Sequence, residues 1–264
     1  MQIKPNCGSS GKQFKKTKRR AFSRVDLVVT LGALVLLAAW FGFAHLGERD
    51  RMLHCANNLR AQGQAMHEFA NDHGDGIPAA VINLGNIRAT WDELLKQYLN
   101  PRSPNHLLRF YVCPSDTAPH QGIPRSYAMG RNDMLPKHWP PGGDSATGAG
   151  LRWNEATVRL LLNNEAAFTN LDLLVPVKLS NMPVPSDTLL TSELINSQNV
   201  VASIQQATVS GVSQQQKFFQ DGGAQFHYGR FNYLMGDGHV ETLSALQTGS
   251  VDGSGGIWTL KKEK

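Results

Sequence analysis

Cysteine is scarce in this chain. There are three in 264 residues, Cys7, Cys55 and Cys113, and no two form a CxxC pair. The usual zinc-finger and thioredoxin spacings are therefore excluded. Catalytic signatures are missing too. The sequence holds no G-x-S-x-G elbow, no phosphate loop, no H-E-x-x-H, and no Ser–His–Asp set that spacing singles out. Acidic residues are absent from positions 1–25, which carry eight bases: Lys4, Lys12, Lys15, Lys16, Lys18, Arg19, Arg20 and Arg24. The remainder has eighteen bases against twenty-one acids, so the formal charge of +5 belongs to the N-terminal segment. A nucleic-acid-binding face needs its cations on the folded body, and this distribution argues against that class.

Charge is also missing from Leu27 to Leu46, twenty residues without Asp, Glu, Lys or Arg. A helix of that length spans ~30 Å, the thickness of a bilayer's hydrocarbon. The expectation is a single-pass transmembrane helix over 22–46 in a bacterial inner membrane. The preceding cations would hold the N-terminus in the cytoplasm and leave the rest periplasmic or surface-exposed, with the lipid bilayer as a partner. A cleaved secretory signal ending at Gly42–Ala44 is the alternative, although such apolar cores are usually shorter. Glu48, Arg49, Asp50 and Arg51 would then mark the water boundary. Beyond them Met52, Ala56, Leu59, Gly63, Met66 and Ala70 recur at three- and four-residue spacings. This stripe predicts an amphipathic continuation over 47–73, stopped near Asp72 by the breakers of HGDGIP.

The basic leader, the AFSRVD junction and the apolar run resemble the N-terminus of type IV pilin-like proteins and type II secretion pseudopilins. The resemblance implies cleavage by a prepilin peptidase between Ala21 and Phe22 and methylation of the new amine. Asp26 would stand where an acidic residue pairs with a neighbouring subunit's amine. Ala21 replaces the usual Gly, Asp26 the usual Glu, and Arg24 interrupts a normally apolar stretch. Further ordered matches (CANNLRAQGQAMHEFANDHGDGIP, WDELLKQYL, YVCPSD, SYAMGRN, VPSDTLLTSE and FHYGRFNYLMGDGHVETL) resemble the large pseudopilin-like subgroup with a C-terminal H-X9-DG motif. Here nine residues separate His227 from Asp237-Gly238.

The expected fold is α+β: a long N-terminal transmembrane helix continuing as a rod, packed on an antiparallel sheet. The expected organisation is a leader over 1–21, the span over 22–46, the rod over 47–73 and a head over 74–264, with the H-X9-DG region at 226–243. WDELLKQYL reads as a short helix, RFYVC, TLLTSEL and VVASIQQATV as strands, and Pro140–Gly150 as a loop. FNYLMGDGHVETL reads as a hairpin turning at Asp237-Gly238.

Within the head, His227, Asp237 and His239 are metal-ligand types, so a divalent ion is a minority expectation; the simpler reading is a turn whose imidazoles bond backbone. NDHGDG begins like a calcium loop, but Ile82 stands where the bidentate acid belongs. Cys55 and Cys113 could pair in an oxidising compartment, closing a loop of roughly 58 residues worth about 4 kcal/mol, or remain free buried thiols. Glu193 is an oddity inside an apolar strand, where pairing with Arg or Lys is the first expectation. Trp91, Trp153 and Trp258 read as core anchors. The functional expectation is a non-enzymatic pseudopilin-like subunit or accessory of a secretion or pilus-like assembly. It would have no required cofactor, and its partners would be the peptidase, other pilin-like subunits or secretion machinery. The alternatives are a tethered binding module that never polymerises and, further off, a metal-dependent hydrolase using His227, Asp237 and His239.

Overall fold

The computed structural model describes residues 23–84, 86–99, 109–132, 148–154, 177–220, 226–249, 256–258 and 260, with the backbone alone for 41–46, 154, 218–220 and 245. Cys7, Ala21, Phe22 and most of the 140–150 loop lie outside these residues. The first element, α1, runs Arg24–Asp72. Its start is held by a reciprocal cap: Ser23 Oγ accepts from the Asp26 amide at 3.1 Å, and the Asp26 carboxylate accepts from the Ser23 amide at 3.0 Å. These are two of the amide donors that a helix start leaves without helical partners. At the far end Gly74 and Asp75 take positive φ, 62° and 73°, and turn the chain away.

Two compact units divide the chain, 1–45 and 46–264. The described part of the first is helical, and its large apolar side chains are exposed, from Val25 at 70 % to Trp40 at 76 %.

The second unit is built on a sheet. Its strands are β1 (Val81–Leu84), β2 (Ile87–Thr90), β3 (Tyr127–Asn132), β4 (Gly150–Asn154), β5 (Leu189–Glu193), β6 (Thr208–Val209), β7 (Phe231–Met235) and β8 (Val240–Leu243). The order is β2-β1-β4-β3-β5-β7-β8, with β6 joined to β3 off that path. Two short helices accompany it, α2 (Trp91–Leu95) and α3 (Val212–Gln220). Every residue of β5 and β7 is buried, because both faces of these strands are covered. Leu234 and Asn232 point toward α1. There a Cβ on Gly63 would come within 2.7 Å of Leu234, so glycine permits the close approach of helix and sheet. Ser192 and Tyr233 point the other way, to Gln215 of α3, and Trp258 meets the Tyr233 ring edge-on at 5.9 Å.

Four expectations are corrected. Among the described residues no helix is long and apolar enough to cross a membrane. The transmembrane helix over 22–46 and the inner-membrane localisation fall with that finding. The sheet is mixed rather than antiparallel: β1 and β3 both pair with β4 in parallel, and β6 with β3. RFYVC is not a strand. Residues 109–111 are helical, and the segment bonds to coil, with Ser126 N–H donating to the Tyr111 carbonyl at 2.7 Å. Of VVASIQQATV only β6 is a strand, with Val200 in an isolated bridge to Pro124.

A buried ion pair ties α2 to the loop before β6. Arg125 and Asp92 are both fully enclosed and bonded to each other. Arg125 also donates to Asn199 Oδ1 at 2.8 Å and to the Ser203 carbonyl at 2.8 Å, while Asp92 accepts from the Ala202 amide at 2.8 Å. Removing one partner strands the other charge. Asp92→Ala is therefore expected to lower unfolding stability by about 3–5 kcal/mol, against a smaller loss for Asp92→Asn, as read by urea denaturation.

Candidate functional site

His227 is brought to its position by an unusual backbone. His227, Tyr228 and Gly229 take φ of 45°, 57° and 77°, three left-handed residues in succession. For the two side-chain-bearing residues this costs about 1–2 kcal/mol each. The turn places the imidazole inside the molecule, with no exposed surface, just before β7 begins.

Two carboxylates receive it. Nδ1 lies 2.9 Å from Glu48 Oε1 and Nε2 lies 3.1 Å from Glu193 Oε1. Glu48 comes from α1 and accepts from the His227 amide at 3.0 Å and Ser115 Oγ at 2.9 Å. Glu193 ends β5, where its other oxygen accepts from the Asn232 amide at 2.7 Å, and Asn232 Nδ2 donates to Oε1 at 2.8 Å. Each ring nitrogen lies within hydrogen-bonding distance of a carboxylate oxygen, an arrangement that favours the doubly protonated imidazole. Burial opposes that charge, yet the bonds and fields of Glu193 and Glu48 outweigh it and hold the His227 pKa above its ordinary value. Partial burial likewise pushes the Glu48 carboxyl up, but its bonds to His227 and Ser115 leave it below the usual range.

A disulfide completes the centre. Cys55 on α1 and Cys113 are bonded, with Cα atoms 5.1 Å apart across 58 residues of sequence. Cys113 Sγ lies 3.3 Å from His227 Nε2. One donor atom each from Cys55, Cys113, Glu193 and His227 fall within 4.8 Å of one another, all buried.

The structure does not assemble the expected His227–Asp237–His239 set. His227 is buried at one end of β7, whereas Asp237 and His239 flank the exposed turn at its other end. There Gly238 supplies φ 88°, Asp237 accepts from the His239 amide at 3.1 Å, and His239 Nε2 lies 3.3 Å from Glu241. A hydrolase built on those three residues has no common site, and that reading is withdrawn. Glu193 pairs with a histidine and an asparagine, not with Arg or Lys. Glu48 belongs to this centre rather than to a water boundary alone, although its second oxygen still lies 3.7 Å from Arg51. Asp26 serves the start of α1. No motif flagged Glu48 or Asn232; for Glu193 the signal was an acid in an otherwise apolar run.

A second feature is a cleft of about 800 Å³ where α1, β1, α2 and β4 meet. Phe69 and His73 stack at 3.9 Å on its wall, and Trp153, Glu93, Lys96 and Gln97 also line it. Trp91 and Trp258 are core residues, whereas Trp153 is half-buried at this cleft.

Removing the imidazole leaves the Glu193 charge buried without a counter-ion. His227→Ala is expected to cost about 3–5 kcal/mol of stability. Glu193→Gln should be markedly less costly in that background than alone, and a double-mutant cycle by chemical denaturation measures this coupling. No family model matches the chain, and no curated protein or solved structure matches it either.

Proposed function

We propose that this protein is a pilin-like assembly subunit, in which α1 joins copies of the chain and the second unit is the displayed head. The observation that carries the reading is the start of α1. Leu34, Val35, Leu36 and Leu37 are consecutive and each more than half exposed, so the helix is apolar around its whole circumference. A one-sided partner would leave part of it in water, whereas a bundle of like helices covers every side. The resemblance of the AFSRVD junction to prepilin cleavage sites supports the same reading, with prepilin peptidase, other pilin-like subunits and secretion machinery as partners. Cleavage before Phe22 would give an α-amine four positions before Asp26, whose carboxylate caps α1 through Oδ2 and would set register between neighbours through its other oxygen.

The head contributes rigidity rather than chemistry in this account. Cys55, Glu48 and Glu193 lock α1 to the sheet, so the display unit keeps its orientation on the helix residues from Leu46 onward. A second reading, a head that grips a glycan, is favoured by the cleft beside Trp153. Aromatic faces there can stack on the apolar faces of sugar rings while Glu93, Lys96 and Gln97 meet the hydroxyls.

Sedimentation and N-terminal sequencing test the first reading. The protein from its native cells should sediment as higher-order assemblies beginning at a methylated Phe22. Leu34→Asp with Leu37→Asp should weaken self-association by at least about a hundredfold, because each lost leucine contact removes roughly 1.5–3 kcal/mol. A monomer at all concentrations that still begins at Met1 would defeat the reading. Retention on immobilised polysaccharide that Trp153→Ala abolishes would favour the second.

A further inference from the structure

The disulfide, the imidazole and the buried carboxylate have the composition of a metal centre whose sulfurs happen to be oxidised. We propose that, when Cys55–Cys113 is reduced, the protein binds one zinc ion through both thiolates, His227 Nε2 and the Glu193 carboxylate.

The donor set is what zinc selects: two soft sulfurs, one imidazole nitrogen and one carboxylate oxygen, four groups for a closed tetrahedral site. The donors already lie within 4.8 Å of one another. Zinc–sulfur bonds near 2.3 Å and zinc–nitrogen or –oxygen bonds near 2.0–2.2 Å set tetrahedral edges of roughly 3.3–3.8 Å. The sulfurs move apart once their bond is broken, and the His227–Glu193 and His227–Cys113 separations of 3.1 and 3.3 Å open by a few tenths of an ångström to about the tetrahedral edge. Cys55 sits on α1, Glu193 on β5, and His227 on the turn before β7, so the ligands are fixed by separate elements.

The surrounding groups are arranged as outer partners of such a site. Glu48 accepts from Nδ1–H at 2.9 Å, which leaves Nε2 as the ring atom facing sulfur and Glu193. A carboxylate on the far nitrogen of a ligating histidine is the usual means of fixing its tautomer and orientation. Asn232 and its amide hold Glu193 from behind at 2.8 and 2.7 Å. In the disulfide form the proton on Nε2 bridges to Glu193; in the zinc form the metal takes that proton's place.

The conversion balances. A dithiol reductant gives two electrons to the Cys55–Cys113 bond and becomes a disulfide. The S–S bond breaks, and the two sulfurs take up two protons to form thiols. Zinc binding then releases the two thiol protons and the Nε2 proton, while the Nδ1 proton stays with Glu48. Bonded to each other, the sulfurs cannot act as thiolate ligands, so disulfide and zinc exclude one another. The same pair of cysteines can thus staple α1 to the head in either redox state.

The test uses the full chain, unfolded and reduced with a dithiol, desalted under inert gas and refolded with cobalt or zinc. The reduced protein should take up one cobalt per chain, with thiolate-to-cobalt charge-transfer absorption and tetrahedral d–d bands that zinc bleaches. The oxidised protein should take up none. X-ray absorption of the zinc form should count two sulfur and two nitrogen or oxygen neighbours. Glu48→Gln, which keeps an acceptor for Nδ1–H, should weaken zinc binding by about tenfold to a hundredfold. No stoichiometric uptake by the reduced chain, a sulfur count other than two, or equal uptake by the oxidised chain would overturn the proposal. The sulfur count needs no variant, so it decides the matter even if a substituted chain does not fold.

Discussion

The Glu193 carboxylate sits at the end of a fully buried strand with no exposed surface of its own, and the imidazolium of His227 is 3.1 Å from it. An unpaired charge at such a depth costs several kcal/mol, so the pair constrains everything near it. The imidazole must enter from outside the sheet plane, which is why three left-handed residues precede β7. Its second nitrogen must also find a partner, and Glu48 of α1 supplies it. Helix, strand and turn are thereby fixed to one point by directional bonds rather than by apolar packing alone.

The disulfide fits the same arrangement. Closing a 58-residue separation removes unfolded-state freedom worth about 4 kcal/mol, and it does so beside the buried ions. Apolar contact then fills in around them: Leu59 and Met66 of α1 are completely buried, and Gly63 lets Leu234 come close. Away from this point, Arg125 and Asp92 repeat the design, with one enclosed cation and one enclosed anion holding a loop that has little regular structure. Among the described residues the second unit therefore encloses several paired charged side chains, His120–Asp116 among them, in place of a purely apolar interior.

Local features could be read from the sequence, and features set by distant partners could not. The buried stripe of α1, its stop at Asp72, the short helix from Trp91 and the β7–β8 hairpin with its Asp237-Gly238 turn follow from spacing and turn chemistry within a few residues. Parallel pairing of β1, β3 and β6 depends on which strands meet across long connections, and nothing in a short window encodes it. The centre was misjudged for a related reason. His227 and Asp237 are close in sequence, but the five residues of β7 between them span roughly 17 Å. The nine-residue spacing of the motif is thus the length of a strand and its flanks. It separates a buried histidine from an exposed turn instead of uniting them. Glu193 was conspicuous as an acid in an apolar run, but its partner lay 34 positions ahead. The apolar run after Leu27 announced a helix clearly, and α1 covers it, although among the described residues no helix is long and apolar enough to cross a membrane.

The order in which these parts leave the ribosome has a consequence. Cys55 and Cys113 are synthesised more than a hundred residues before His227, and Glu193 also precedes it. Until the last third of the head exists, Glu193 has no imidazolium, and its strand cannot be enclosed without leaving a bare anion inside. The β7 strand that pairs with β5 and the imidazole that meets Glu193 come from one stretch, His227–Met235. Covering β5 and neutralising its terminal carboxylate are thus tasks of the same short piece of chain.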